Sequence, residues 1–387
     1  MSRPLRLLIV AGEVSGDMHA ARLVEAIQRQ NPAVECFGIG GDALRATGME
    51  ILYDARDMAV MGFTEVVRRL GFFRKAFGDL LAAARKRRPD AVILVDYPGF
   101  NLRFAARAHA LGLRVIYYIC PQVWAWNRRR IPHMARIVDR LIAIFPFEPQ
   151  VFAGTSLKVD FVGHPLVDEI AAALREPEAS LPWQGTPRIA LLPGSRRQEI
   201  EHILPALLDA AALIQRHQPN ASFIIPAPST EIGNTVRQML AGLPPGPARL
   251  SVVDGLTRQV LRQATAAWVA SGTATIEAAL LNCPMAVVYK TSPLTYLLAR
   301  LLVSVPFIGM VNVVAGRQVC PEFIQGTATP EALAGALQPL IESEPVRRQM
   351  LEGFRQVQTA LGPGGAAERA AAIVLAQVAA GVPGHAE

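Results

Sequence analysis

Short apolar runs recur along this chain, each followed by a loop of small or polar residues and then by a stretch of helical periodicity. A run that does not alternate belongs to a strand covered on both faces, which a parallel sheet with helices on each side provides. In the first half such runs occupy residues 5–10, 34–38, 91–95, 115–119, 140–144 and 158–162, with helices expected over 19–30 and 102–111. The pattern stops over 175–187, REPEASLPWQGTP, a Pro-rich, aperiodic stretch that reads as a linker. It resumes with runs at 189–192, 222–226, 250–253, 267–270 and 285–288 and a helix over 204–216. The expectation is an α/β chain of two doubly wound, Rossmann-like domains, 1–175 and 187–345, facing a cleft. A length of 387 residues suits two domains of roughly 150–200 each. The stretch 366–380 is Ala-rich and helical, and 381–387 reads as a frayed end. Open α/β sheets bind ligands at the carboxyl ends of their strands, so the loops after strands should carry the chemistry in both halves.

Apolar residues make up 51% of the chain and charged residues 18%, which excludes a disordered chain. The net charge of +7 suits an anionic partner: nucleic acid, anionic lipid or a phosphorylated substrate. Its location narrows the choice. Arg68, Arg69, Arg74, Lys75, Arg85, Lys86, Arg87 and Arg88 fall within 65–89, with Phe72, Phe73 and Phe77 interleaved. That is either a membrane-surface element, touching the bilayer through Phe72, Phe73 and Arg74, or a helix with a solvated basic face and core-facing aromatics. No nucleic-acid-binding module accompanies it, so nucleic acid is not expected as a partner. Cys36, Cys120, Cys283 and Cys320 form no CxxC pair and read as reduced, buried thiols of a cytosolic protein. The amino-terminal MSRPLRLLIVAGE has no small-residue cleavage site and reads as a first buried strand. The most apolar stretch, 294–316, is broken by Arg300, Pro306 and Gly309; no spanning helix is expected, and contact with a membrane face stays open.

Three motifs of the first half carry candidate chemistry. AGEVSGDMHA, 11–20, follows the first run. Gly12 and Gly16 allow a tight turn, and Ser15 or Asp17 could cap the next helix. The pattern GxGxxG is missing, and Glu13 and Asp17 would repel a pyrophosphate, so an acceptor-side or purely structural loop is expected. VDYPGFN, 95–101, puts Asp96 at the end of a buried strand, where Pro98 and Gly99 turn the chain. A carboxylate at that rim is a candidate general base for a sugar hydroxyl, or a brace for its own loop. Glu13 and Asp17 are the other first-domain carboxylates in contention for the catalytic role. In ICPQVWAWNRRRIPHMAR, 119–136, Trp124 and Trp126 either belong to the core or border an acyl or sugar site. Arg128, Arg129 and Arg130 either meet an acceptor phosphate or lipid headgroup or form a solvated helix start.

Three more lie in the second half. LLPGSRRQEIEHILP, 191–205, reads strand, Gly loop, helix. Gly194 and Ser195 stand at the helix amino end, whose N–H groups attract anions, and Arg196 adds a fork matched to phosphate. ASGTATIEAAL, 270–280, repeats that order. Ser271, Gly272, Thr273 and Thr275 supply donors for a pyrophosphate, and Glu277 is placed to take a ribose hydroxyl or simply favours the helix start. GMVNVVAGRQVCPEFIQ, 309–325, carries Asn312, Arg317, Glu322 and Gln325, an amide and carboxyl set that could orient a sugar or the donor phosphate.

Taken in order from Ala11 to Gln325, AGEVSGDMHA, VDYPGFN, PQVWAWNRRR, FPFE, VGHPLVD, LLPGSR, SGTATIEAAL and NVVAGRQVCPEFIQ resemble the lipid-A-disaccharide synthase family. The combination of SGD, PQVWAW and LLPGSR is specific to it. The resemblance implies a two-domain glycosyltransferase B-type fold and inversion at the anomeric carbon with no metal or other cofactor. It implies UDP-2,3-diacylglucosamine as donor and 2,3-diacylglucosamine 1-phosphate, an acylated glucosamine 1-phosphate, as acceptor. The products are then a β-1,6-linked disaccharide and UDP. By the matching motifs Asp96 resembles the acceptor-activating aspartate, Arg196 the donor-phosphate arginine and Asn312 a donor-site asparagine. Further implications are C-terminal helices, 346–387, that return to the first domain, a peripheral place on the cytoplasmic face of the inner membrane, and pairing as a homodimer. Gly99 follows Pro98 where some relatives carry an acidic residue, which leaves Asp96 the only carboxylate of its loop.

Two rivals share parts of the pattern. A UDP-sugar 2-epimerase or hydrolase of the same fold needs the donor site but no lipid acceptor site, and the Trp/Arg motif and basic-aromatic stretch argue against it. A non-catalytic lipid or nucleotide-sugar binding module would keep LLPGSR and SGTAT and could dispense with Asp96.

Overall fold

A computed structural model describes residues 3–58, 69–302 and 305–380. Residues 65–68 of the basic stretch, 303–304 of the apolar stretch and the expected frayed end at 381–387 lie outside the described residues. Residues up to Pro165, together with those from Pro363 onward, form one compact unit, and Leu166–Gly362 form a second.

The first unit carries β1 (Arg6–Ala11), β2 (Glu35–Gly40), β3 (Glu50–Asp54), β4 (Ala91–Val95), β5 (Val115–Tyr118), β6 (Arg140–Ala143) and β7 (Lys158–Phe161). They form one sheet in the order β3-β2-β1-β4-β5-β6-β7, with every neighbouring pair parallel. All of β4, and all of β1 beyond Arg6, are buried, as continuous apolar runs require. Gly38 permits the close approach of β1 and β2. Its φ is +143°, and a Cβ there would stand 2.1 Å from the Ile9 carbonyl oxygen. The helix Ala366–Ala379 closes this unit against the helix Val14–Gln30. Arg369 donates to the Val162 carbonyl, Nη2 to O 2.6 Å, and Arg114 donates to the Gln377 carbonyl.

The second unit carries β8 (Arg188–Leu192), β9 (Ser222–Ala227), β10 (Leu250–Asp254), β11 (Ala266–Ala270), β12 (Met285–Tyr289) and β13 (Glu322–Ile324). Its sheet runs β10-β9-β8-β11-β12-β13 and is again parallel. The unit limits differ from the expected 1–175, 187–345 and 346–387. The helix Leu166–Arg175 belongs to the second unit, where Arg258 pairs with the buried Glu169. The aperiodic segment after it is pinned there as well: Trp183 Nε1 donates to Gln263 Oε1 at 3.1 Å and the Gln184 N–H to Ser222 Oγ at 2.9 Å. The helix Glu344–Ala360 buries Phe354 and Val357 in the second unit and ties Gln358 to the Ala279 carbonyl. Only the helix Ala366–Ala379 joins the first.

Strand order reverses once in each sheet, between β1 and β4 and between β8 and β11. At such a switch the helices leave the sheet on opposite faces, and a crevice opens outside the strand carboxyl ends. The four motifs AGEVSGD, VDYPGFN, LLPGSR and SGTAT are the four loops at these two switches.

Candidate active site

In the first unit the loops after β1 and β4 interlock. The helix expected from 19 starts at Val14, so Ser15 and Asp17 lie in its first turn; the N-cap is Glu13, which makes no side-chain cap. Asp17 braces a different element. Its buried carboxylate accepts from the N–H groups of Gly41 (2.6 Å), Ala43 (2.9 Å) and Leu44 (3.2 Å), capping the helix Asp42–Ala46. With both oxygens held by backbone, Asp17 is a structural anchor and not the base. Glu13 and Ser15 are exposed at the start of the first helix.

Asp96 and Tyr97 both adopt left-handed backbone conformations, φ 44° and 47°. Such conformations in residues other than Gly persist only where the surroundings enforce them. Here Asn101, wholly buried, donates its Nδ2 to the carbonyls of Val95 (3.2 Å) and Asp96 (2.8 Å). The Tyr117 hydroxyl also donates to the Asp96 carbonyl, and the Tyr97 hydroxyl to the Met58 carbonyl at 2.9 Å. The Asp96 backbone is thus pinned while its carboxyl faces the negative charge of Glu13. Burial, and then Glu13, push that carboxyl up to about 6, against a smaller lowering by a hydrogen bond from the Tyr97 backbone.

The Trp/Arg motif divides. Trp124 is 5% exposed and packs edge-on against Phe147 at 4.8 Å, whereas Trp126 is 44% exposed with the Arg130 guanidinium 5.4 Å from its ring centre. Arg128 and Arg129 are exposed, and Arg128 Nε donates to the Trp124 carbonyl at 3.3 Å. Glu148 of FPFE, which no local pattern marks as functional, is wholly buried and accepts from Trp124 Nε1 at 3.3 Å. The aromatics of the basic stretch face inward: Phe72 and Phe73 are half-buried against the core, Phe72 meets Tyr53 edge-on at 5.7 Å, and Arg74 is exposed. Among the described residues no helix is long and apolar enough to cross a membrane.

In the second unit the loop after β8 is folded around Glu199. Glu199 Oε2 accepts from the N–H groups of Ser195 (3.1 Å) and Arg196 (3.3 Å), and Oε1 from Arg196 Nη1 (3.0 Å). Gly194 makes room for it: its φ is +119°, and a Cβ there would lie 2.6 Å from Glu199 Oε2. Arg196 remains 68% exposed at its side chain. After β11, Ser271 Oγ donates to the Ile308 carbonyl (2.7 Å) and the buried Thr275 Oγ1 to that of Gly272 (2.8 Å). Both hydroxyls shape the loop, while Thr273 is exposed and Gly272 sits at φ +149°. Glu277 shares Arg258 with Glu169: Nε lies 2.9 Å from Glu277 and Nη2 2.5 Å from Glu169. The sequence gives no sign of Arg258, because its partners are 19 and 89 residues away.

Two expected donor contacts are internal braces instead. Asn312 is wholly buried, and its amide is saturated: Nδ2 donates to the Cys320 carbonyl and Glu322 Oε1, both at 2.8 Å, and Oδ1 accepts from the N–H groups of Val319 (2.7 Å) and Cys320 (2.9 Å). Gln325 exchanges both of its amide hydrogen bonds with the Thr291 backbone. Among the described residues no group of three or more His, Cys, Asp or Glu side chains is disposed to hold a metal ion.

Comparison with known proteins agrees with this architecture. The family model described as lipid-A-disaccharide synthetase matches residues 7–374. The lipid-A-disaccharide synthase of Anaeromyxobacter sp. (strain K) is 42% identical over 373 residues, covering 96% of this chain and 97% of that one. Among solved structures, a putative UDP-N-acetylglucosamine 2-epimerase from Listeria monocytogenes superposes with a TM-score of 0.65 at 14% identity, covering 97% of this chain and 96% of that one. The glycotransferase of kitacinnamycin does so with a TM-score of 0.62 at 16% identity, covering 97% and 100%. At such identities the two structures speak for the fold alone.

Proposed function

The chain belongs to the lipid-A-disaccharide synthetase family, and from that premise we propose that its first unit activates the acceptor hydroxyl while its second holds the UDP-sugar donor. It is a glycosyltransferase of lipid A biosynthesis. On this reading the donor is UDP-2,3-diacylglucosamine and the acceptor 2,3-diacylglucosamine 1-phosphate.

The observation that carries the assignment of roles is the state of Asp96: a rim carboxyl, pinned through its backbone, with its pKa raised to about 6. A base of that strength is ionised at neutral pH yet basic enough to take a hydroxyl proton. Asp96 takes the proton of the acceptor 6-hydroxyl as that oxygen attacks the anomeric carbon. The bond from the anomeric carbon to the diphosphate breaks on the opposite side, so the configuration inverts. Arg196 and the backbone N–H groups of Gly272 and Thr273 receive the charge that builds on the departing UDP. Glu277, one oxygen held by Arg258, offers the other to a ribose hydroxyl. Trp126, Arg128 and Arg129 are the exposed groups that meet the acceptor and its phosphate. The exposed Arg74, Arg85, Lys86 and Arg88 support contact with an anionic bilayer on its cytoplasmic side.

The test is UDP release and disaccharide formation from the donor with and without the acylated sugar phosphate, for wild type and Asp96→Ala. Disaccharide that forms only with acceptor, and falls roughly 10²-fold or more in the variant with UDP binding intact, fits the reading. Turnover of the donor without acceptor would assign an epimerase or hydrolase. Binding with no turnover would assign a binding module.

A further inference from the structure

Beyond Asp96 and the anchoring Asp17, the first unit holds another buried carboxylate, Glu148, with no part in the proton transfer. It is 0% exposed. One oxygen accepts from the N–H groups of Ile144 (3.2 Å) and Phe145 (3.0 Å) beyond the end of β6, and the other from Trp124 Nε1 (3.3 Å). It also faces the Cys120 thiol, which burial first and the Glu148 charge second push upward. Through these bonds Glu148 ties Trp124, within the segment 119–126, to the turn after β6.

That segment needs gripping. It opens on Ile119, a β-branched residue at φ 64°, a conformation that survives only when its surroundings enforce it. It leads directly to the exposed Trp126 and to Arg130 lying over that ring. At its other end it is fastened to the candidate base: the Asp96 N–H donates to the Tyr118 carbonyl at 3.2 Å, and the Tyr117 hydroxyl donates to the Asp96 carbonyl. Trp126 is exposed and Arg130 half-buried, and neither is among the buried residues of the first unit's core.

We propose that Glu148 is a positioning residue: through Trp124 and the Ile144 and Phe145 backbone it holds the strained segment 119–126 in the one conformation that presents Trp126 and Arg130 to the acceptor beside Asp96. This rests on the transferase reading above. The carboxylate itself touches neither substrate nor reacting atoms.

The experiment uses the full chain and three variants, Glu148→Gln, Trp124→Phe and the double variant, each assayed for acceptor KM, kcat, UDP affinity and thermal midpoint. Glu148→Gln keeps the shape but turns a donor toward donors. Trp124→Phe keeps the ring against Phe147 but removes the Nε1 hydrogen. The expected result is a rise in acceptor KM of about 10-fold or more in each single variant, with UDP affinity within about 2-fold of wild type. The double variant should be no worse than the worse single one, since both break the same clamp. An unchanged acceptor KM in folded Glu148→Gln would overturn the proposal, as would losses that multiply in the double variant or a fall in thermal midpoint with normal kinetics. If Glu148→Gln does not fold, Trp124→Phe decides alone by the same KM criterion. Wild type that makes no disaccharide would instead sink the transferase reading, an outcome seen before any variant is compared.

Discussion

The Tyr97 ring lies where a side chain on residue 12 would have to be: a Cβ built on Gly12 stands 2.5 Å from Tyr97 Cδ1. The loop after β1 thus sets the ring, and through it the neighbouring Asp96. Gly12→Ala should displace Tyr97, break its bond to the Met58 carbonyl and move the base. A displacement of about 1 Å can cost 10²-fold in rate. The expected outcome is a drop in kcat of about 10-fold or more with UDP affinity unchanged, read by steady-state kinetics and calorimetric titration of UDP.

The raised Asp96 carboxyl predicts the acidic limb of the pH–rate profile. The base works deprotonated, so kcat/KM should fall as pH drops through about 6. Burial is the larger cause of the raised value and Glu13 the next. Glu13→Gln should therefore move the limb to lower pH without abolishing it; a limb that stays in place would detach Glu13 from the base.

The raised carboxyl bears on stability as well. Folding raises the Asp96 pKa from 3.8 to about 6, so the group favours the folded state fully below its unfolded pKa and loses that contribution as pH rises through about 6. A tenfold change in a protonation equilibrium corresponds to roughly 1.4 kcal/mol. At pH 8 the charged, buried carboxylate is a burden on the order of 3 kcal/mol that a neutral amide does not carry. Asp96→Asn should therefore melt higher than wild type at pH 8, with the difference shrinking toward pH 4, even as activity is lost. Melting curves at both values check this.

Arg196→Ala should separate binding from folding. Glu199 keeps the Ser195 and Arg196 N–H groups, so the thermal midpoint should barely change. A charge-assisted bond to phosphate contributes about 1.5–3 kcal/mol, so UDP affinity should fall by roughly 10- to 100-fold. The opposite pattern is expected at Asn312. Asn312→Ala strands the Val319 and Cys320 N–H groups in the core and should cost about 2–4 kcal/mol of stability. UDP affinity of the folded fraction should stay close to wild type.

The central strands are legible in the sequence because β1, β4, β8 and β11 are buried on both faces and carry no alternation. β3 and β13, edge strands and only half-buried, are not, although the equally half-buried edge strands β7 and β10 are. The helices from Val14 and Pro98 start earlier than their periodicity suggests, because neither N-cap, Glu13 or Tyr97, makes a side-chain cap. The loops of the site are legible from their place after strands; the work of their residues is less so. Asp17 has the look of a cap for its own helix and caps one 25 residues on. Asn312 and Gln325 resemble ligand contacts because an amide in a motif carries no mark of whether its partner is a sugar or the chain itself. Tyr117, Glu148 and Arg258 act through pairings 19 to 89 residues apart, which no local pattern records.

The helix Ala366–Ala379 completes a unit whose strands all precede Leu166. On a ribosome the chain emerges in sequence order at about 5–20 residues per second. The second unit, continuous from Leu166 to Gly362, can therefore close while the first still lacks the helix that covers Val14–Gln30. The unit begun first is finished last. For roughly 10–40 s its helix face waits uncovered, which is the interval in which a chaperone would find this nascent chain.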